Sequence, residues 1–159
     1  MNPLTVKENF VTKDNRPILV VEDSPEDWLI LLRAVEKSNL KNKVIRVKDG
    51  DEALDYLHHR GDFIDASRAP RPGIILLDLN LPGINGLEVL SEIKTAPQLR
   101  TIPVVVLTTS RDERDIEACY QRGASSFISK PVDAKEFLTA ITRLKDYWFE
   151  IVILPKGNK

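Results

Sequence analysis

Three carboxylates, a threonine and a lysine stand in this 159-residue chain where they could do chemistry together. Glu22 and Asp23 follow the apolar run Ile18–Val21, and Asp78 follows Ile74–Leu77. Thr108 follows Val104–Leu107, and Lys130 follows Phe127–Ser129. Carboxylates held close repel, so they do not all stay ionised without a counter-charge. A divalent cation with oxygen ligands supplies one, and magnesium typically binds through one or two carboxylates plus a phosphate. A carboxylate can attack phosphorus in line and hold the group as an acyl phosphate. A metal and a lysine neutralise the equatorial oxygens, while a hydroxyl donates a hydrogen bond. Each residue alone is a weak sign, because acids at strand ends often cap helices and threonine is a routine strand residue. Their joint occurrence at four strand ends points to phosphoryl transfer.

The elements that must position these groups are legible as an alternation. Short β-branched runs, with Val44–Val47 as the fifth, alternate with longer helical patterns. Three of the runs are almost unbroken apolar segments, as expected of strands buried on both faces of a parallel sheet. Helix starts are marked by Ser24 before Pro25, and by polar caps followed three residues on by glutamate. Those pairs are Asp49 with Glu52, Asn85 with Glu88, Ser110 with Glu113 and Asp133 with Glu136, a capping-box pattern. The order β–α therefore repeats five times. It predicts an α/β, doubly wound, five-stranded parallel sheet with five helices, a flavodoxin-like (β/α)5 fold. In such sheets ligands bind beyond the carboxyl ends of the strands, where the acids lie. Residues 1–16 read as a loose polar arm, and His58–Pro72 as a long surface loop.

Composition excludes several classes. Twenty-three basic residues against 24 acidic ones leave a net charge of −1, so there is no electrostatic footprint for nucleic acid or an anionic membrane. The N-terminus carries no apolar run of the secretory kind, and no segment has the roughly 20 apolar residues of a membrane span. The single cysteine, Cys119, permits no internal disulfide and suits a reducing cytoplasm. The sequence places it as a small apolar group in the fourth helix.

The segments ILVVEDSPED, IILLDLNLPGINGLEVL, PVVVLTTS and GASSFISKP closely resemble the response-regulator receiver family. The likeness covers residues 17–149, and Thr108 and Lys130 follow Asp78 by 30 and 52 positions, the family's usual separations. The resemblance implies that Asp78 is the phosphoacceptor. It implies that Mg2+ is held by Asp23, Asp78 and the backbone carbonyl of Asn80, with Glu22 acting through water. It makes Thr108 and Phe127 the switch pair, Lys130 the partner of the phosphoryl group, and the Lys130–Pro131 peptide cis. Phe127 lacks the hydroxyl of the tyrosine often found there, and Glu22 replaces a more frequent aspartate. Within the family the chain is most similar to regulators served by phytochrome-type histidine kinases.

Readout of the switch is expected through protein contacts, since too few residues follow the fifth helix for a DNA-binding module. Residues 150–159 form a C-terminal tail, and across its start the segment Tyr147–Leu154 is almost wholly apolar on both faces, with only Glu150 charged. It predicts a homodimer contact through Tyr147, Trp148, Phe149, Ile151 and Ile153; folding back on the domain is the alternative. The first helix, with Trp28, Leu29, Ile30, Leu31, Leu32 and Val35, is richer in apolar residues than one core face needs. It is either deeply buried or a docking face for the kinase. His58 and His59 read as solvated loop residues. A haloacid-dehalogenase-type phosphatase would require an acid where Asn80 stands. A phosphorelay intermediate shares every motif and differs only in its partners.

Overall fold

The computed structural model describes residues 15–37 and 40–156. Most of the expected N-terminal arm, residues 1–14, lies outside the described residues. Five strands form one parallel sheet: β1 (Ile18–Val21), β2 (Val44–Val47), β3 (Ile74–Leu77), β4 (Val104–Thr108) and β5 (Ser126–Ser129), in the order β2-β1-β3-β4-β5. The strands β1, β3 and β4 are buried along their whole length. Their unbroken β-branched and leucine runs are explained by helices covering both faces. The edge strands β2 and β5 are partly exposed and carry Arg46, Ser126 and Ser129. The doubly wound (β/α)5 reading is thus met.

Helices α1 (Pro25–Glu36), α2 (Gly50–His58), α3 (Gly86–Thr95), α4 (Glu113–Gln121) and α5 (Ala134–Asp146) fill the connections. Four of the five expected caps form as read: Ser24, Asp49, Asn85 and Asp133 each accept a backbone N–H from the first turn. The fourth helix differs. Its cap is Asp112, and the Ser110 hydroxyl instead donates to Asp115 at 2.6 Å. Aspartate two residues closer to the helix takes the orphan N–H, and serine becomes a brace for the loop.

Alternate strand residues divide the core. Leu19, Val21, Ile75, Leu77, Val104 and Val106 face α2, α3 and α4. Ile18, Val20, Ile74, Leu76, Val105 and Leu107 face α1 and α5. On α1, Leu31 and Ala34 are buried, Trp28, Ile30 and Val35 are half-buried against this second core, and Leu29 is 60% exposed.

The loop after α2 is tied down rather than loose. His59 adopts a left-handed backbone (φ 55°) and its Nε2 lies 2.8 Å from the Ala69 carbonyl. The Tyr56 hydroxyl donates to Pro70 O at 2.7 Å, and Arg71 donates to Leu57 O at 2.8 Å. The histidine expected in solvent is a loop clasp, because the left-handed turn aims its ring back at the returning chain.

After α5 the chain continues in one wide turn, Tyr147–Ile151, closed by Val152 N–H donating to Tyr147 O at 2.9 Å. Trp148 and Phe149 pack on the second core, while Tyr147, Ile151 and Ile153 are exposed. Farther on, Leu154 lies against Gly73 and Arg16 donates to the Pro155 carbonyl. The tail therefore presents both behaviours at once: one side folds back, the other faces outward.

Candidate functional site

The strand order reverses at β1, and there the site assembles. Val21 pairs with Leu77, so Glu22 and Asp78 leave adjacent strands at the same level. This is the crevice expected of a doubly wound sheet. The chain after Asp78 is pressed against the start of α3: a Cβ on Gly86 would sit 2.5 Å from both Asp78 O and Leu79 Cα. Only glycine permits that approach, and the Gly86 N–H donates to Leu79 O at 3.1 Å.

Lys130, 5% exposed, reaches across from the end of β5. Its ammonium donates to Glu22 Oε1 at 2.5 Å, Asp27 Oδ2 at 2.9 Å and Asp78 Oδ2 at 3.0 Å. All three of its N–H bonds are used. Burial alone would depress this ammonium, but Glu22, Asp78 and Asp27 outweigh it and hold the group above the usual lysine range. Burial pushes the Glu22 carboxyl up to about 8; Asp78 adds to the rise and Lys130 opposes it. Asp78 Oδ1 accepts the Asn80 backbone N–H at 3.0 Å.

Thr108 is fully buried, and its hydroxyl accepts from Asn80 Nδ2 at 3.2 Å and from the Ser110 N–H at 3.4 Å. Asn80 thus braces both Asp78 and Thr108, more than the carbonyl role read from sequence. Phe127 is half-buried against the first core, and its N–H donates to the Tyr120 hydroxyl at 3.1 Å. The Lys130–Pro131 peptide is trans, contrary to expectation, since the described residues include no cis bond. Trans is the intrinsically favoured isomer of an X–Pro bond by about 0.5–1 kcal/mol. Cys119 is buried as expected, and burial pushes its thiol up to about 11.

Ligand atoms of Glu22, Asp23 and Asp78 lie within 4.8 Å of one another. Glu22 Oε2 is buried and has no hydrogen-bond partner, and Asp23 faces solvent. Oxygen donors, an orphaned buried carboxylate oxygen and one open side fit a hard divalent cation. The sequence reading missed Asp27. Asp27 lies in the first turn of α1, where an acid has an ordinary explanation in the helix dipole, and no sequence pattern singles it out.

Fold and site together define a switch domain of the phosphoryl-accepting α/β kind. The response regulator receiver domain family model matches residues 18–142, and the chain belongs to that family. It is a response regulator of two-component signal transduction, a class that binds a divalent metal. Similar proteins include Response regulator Rcp1 of Synechocystis sp., 39% identical over 138 residues, which are 87% of this chain and 92% of Rcp1. The Mn(2+)-bound structure of Rcp1 covers 88% of this chain and 99% of its own at 38% identity, with a TM-score of 0.83. The phosphorylated cyanobacterial phytochrome response regulator RcpA gives 0.85 at 37% identity, covering 90% and 100%. The bacteriophytochrome response regulator AtBRR is 45% identical over 85% of this chain and 96% of its own, with a TM-score of 0.67.

Proposed function

We propose that Asp78 is the phosphoacceptor and that the donor is a phosphohistidine on a phytochrome-type histidine kinase. The observation that carries this is the grip of Lys130 on Asp78 at 3.0 Å, beside carboxylates grouped for a cation. An Asp78 oxygen attacks phosphorus, the P–N bond breaks, and the imidazole nitrogen keeps the electron pair. Lys130 turns a donor from carboxylate to phosphoryl oxygen and neutralises its charge. The Thr108 hydroxyl leaves Asn80 and Ser110 to bond the phosphoryl group, and Phe127 follows it inward. Asp23, Asp78 and the Asn80 carbonyl would hold Mg2+, with Glu22 acting through water, and the ion when bound would offset charge on the phosphoryl oxygens. The protein promotes its own phosphorylation and dephosphorylation and turns over no separate substrate.

The kinase assignment is supported by likeness to RcpA and AtBRR, both described as phytochrome regulators. Leu29, with Trp28 and Ile30 beside it, forms the kinase-docking face of α1. Residues 17–149 act as the receiver, and the outward Ile151 and Ile153 with Tyr147 meet a second copy of the chain. The setting is the cytoplasm; no described helix is long and apolar enough to cross a membrane.

Incubation with acetyl phosphate and Mg2+, followed by intact mass, tests this reading. One phosphoryl adduct is expected in the wild type and none in Asp78→Asn. An adduct of equal yield in Asp78→Asn would refute it.

A further inference from the structure

Lys130 has three carboxylate partners, and two of them belong to the chemistry. Asp78 accepts the phosphoryl group, and Glu22 stands among the grouped cation ligands. Asp27 belongs to neither set. Its Oδ2 lies 2.9 Å from Lys130 Nζ, and its side chain is 31% exposed against 5% for Glu22 and 9% for Asp78. Its backbone is fixed as well, because its N–H donates to the Ser24 hydroxyl that caps α1.

We propose that Asp27 is a positioning residue for phosphoryl transfer, holding the Lys130 ammonium over Asp78 while the other two carboxylates are drawn to cation and phosphorus. The proposal rests on Asp78 being the phosphoacceptor. A lysine ammonium is a point charge on a flexible four-carbon stem. When a cation engages Glu22, and phosphorus engages Asp78, two of its three anchors change. Asp27 is the anchor that stays. It fixes one N–H bond, aims the others, and keeps a buried ammonium from lying unpaired. It also joins α1, the proposed kinase-docking face, directly to the group that grips the phosphoryl oxygens.

A helix-capping role predicts something different. Asp27 lies in the first turn of α1, where an acid favours the helix dipole. That role would lower the melting temperature and leave the chemistry unchanged.

The test uses the whole chain with acetyl phosphate and Mg2+, following adduct formation by intact mass and Mg2+ affinity by calorimetry. Asp27→Ala should slow adduct formation about tenfold, the scale of a lost charge-assisted hydrogen bond. Asp27→Asn, which keeps an acceptor in the same shape and secures the test if the alanine variant folds poorly, should slow it less. Mg2+ affinity should change less than about twofold in either. A double-mutant cycle with Lys130→Met, read as beryllofluoride affinity in Mg2+, should show that losing Asp27 has no further effect once Lys130 is gone. An unchanged rate in both Asp27 variants, equal losses with and without Lys130, or a parallel fall in Mg2+ affinity would each overturn the proposal. Absence of an adduct in the wild type would instead strike the reading of Asp78. A normal adduct, lost in Asp78→Asn but formed at full rate in Asp27→Ala, would strike Asp27 alone.

Discussion

At the carboxyl end of the sheet, polar groups are buried and nearly all of them are satisfied within one chain. Lys130 meets Glu22, Asp27 and Asp78, and Asn80 ties Asp78 to Thr108. The C-terminal tail is organised in the opposite sense. Its groups are apolar, and they divide between a side packed on the domain (Trp148, Phe149) and a side in solvent, where Ile151 is 70% and Ile153 91% exposed. A buried charge without its partner costs several kcal/mol, so the site must close on itself. An exposed isoleucine costs little by itself. The tail can therefore leave a face open that a second molecule completes. One region is closed by its own side chains; the other leaves Tyr147, Ile151 and Ile153 in solvent.

The sharpest way to break this contrast is to remove the common partner at the site. Lys130→Met keeps most of the stem but leaves Glu22 and Asp78 buried without a cation. In metal-free buffer the variant should lose about 3–5 kcal/mol of stability, the usual cost of breaking a buried ion pair. Millimolar Mg2+ should recover a larger part of the urea midpoint in the variant than it adds to the wild type. A loss below about 1 kcal/mol without metal would mean that the carboxylates do not depend on Lys130, and the closed character of the site would be wrong.

Within the tail the two sides should separate. Phe149→Ala removes a half-buried ring from the second core and should cost about 2 kcal/mol, somewhat below the range for fully buried aromatics. Replacing Ile151 and Ile153 together by serine should change monomer stability by no more than about 0.5 kcal/mol. The same pair should turn a sedimenting dimer into a monomer. Equal destabilisation by both changes would show that the tail has one face and not two.

The same contrast explains what could be read before the structure. Glu22, Asp23, Asp78, Thr108 and Lys130 were legible because strand ends converge in any doubly wound sheet, and β-branched runs marked those ends. Asp27 was not, since an acid in the first turn of a helix has an ordinary explanation in the dipole. Only the distance to Lys130 separates the two roles. Ser110 and Asp112 compete for one cap within two residues, and sequence pattern favoured the one with glutamate three positions on. The tail's two sides were hidden because every residue of YWFEIVIL but one is apolar, so hydrophobicity gives no phase. The phase comes from the wide turn at Tyr147–Ile151. The clasp made by His59 is hidden from the sequence because a left-handed cap at a histidine carries no strong sequence mark.

The smallest expected effect concerns the loop after α2, which lies outside both regions. The Tyr56 ring meets Phe63 edge-on with centroids 5.2 Å apart, and its hydroxyl holds Pro70 O. Tyr56→Phe should cost about 1 kcal/mol at neutral pH, the net worth of one buried hydrogen bond. It should leave adduct formation and dimerisation unchanged. The effect has a definite pH signature. Burial pushes the Tyr56 phenol up to about 12, with Arg71 opposing, so the folded value exceeds the unfolded value of about 10. The contribution is complete below about pH 10 and is lost as pH rises through about 12. Phenylalanine cannot ionise. The gap between the two urea midpoints should therefore hold steady up to about pH 10 and narrow as the pH rises above it. A constant gap would mean that the phenol is solvated, and that the loop is held by His59 and Arg71 without it.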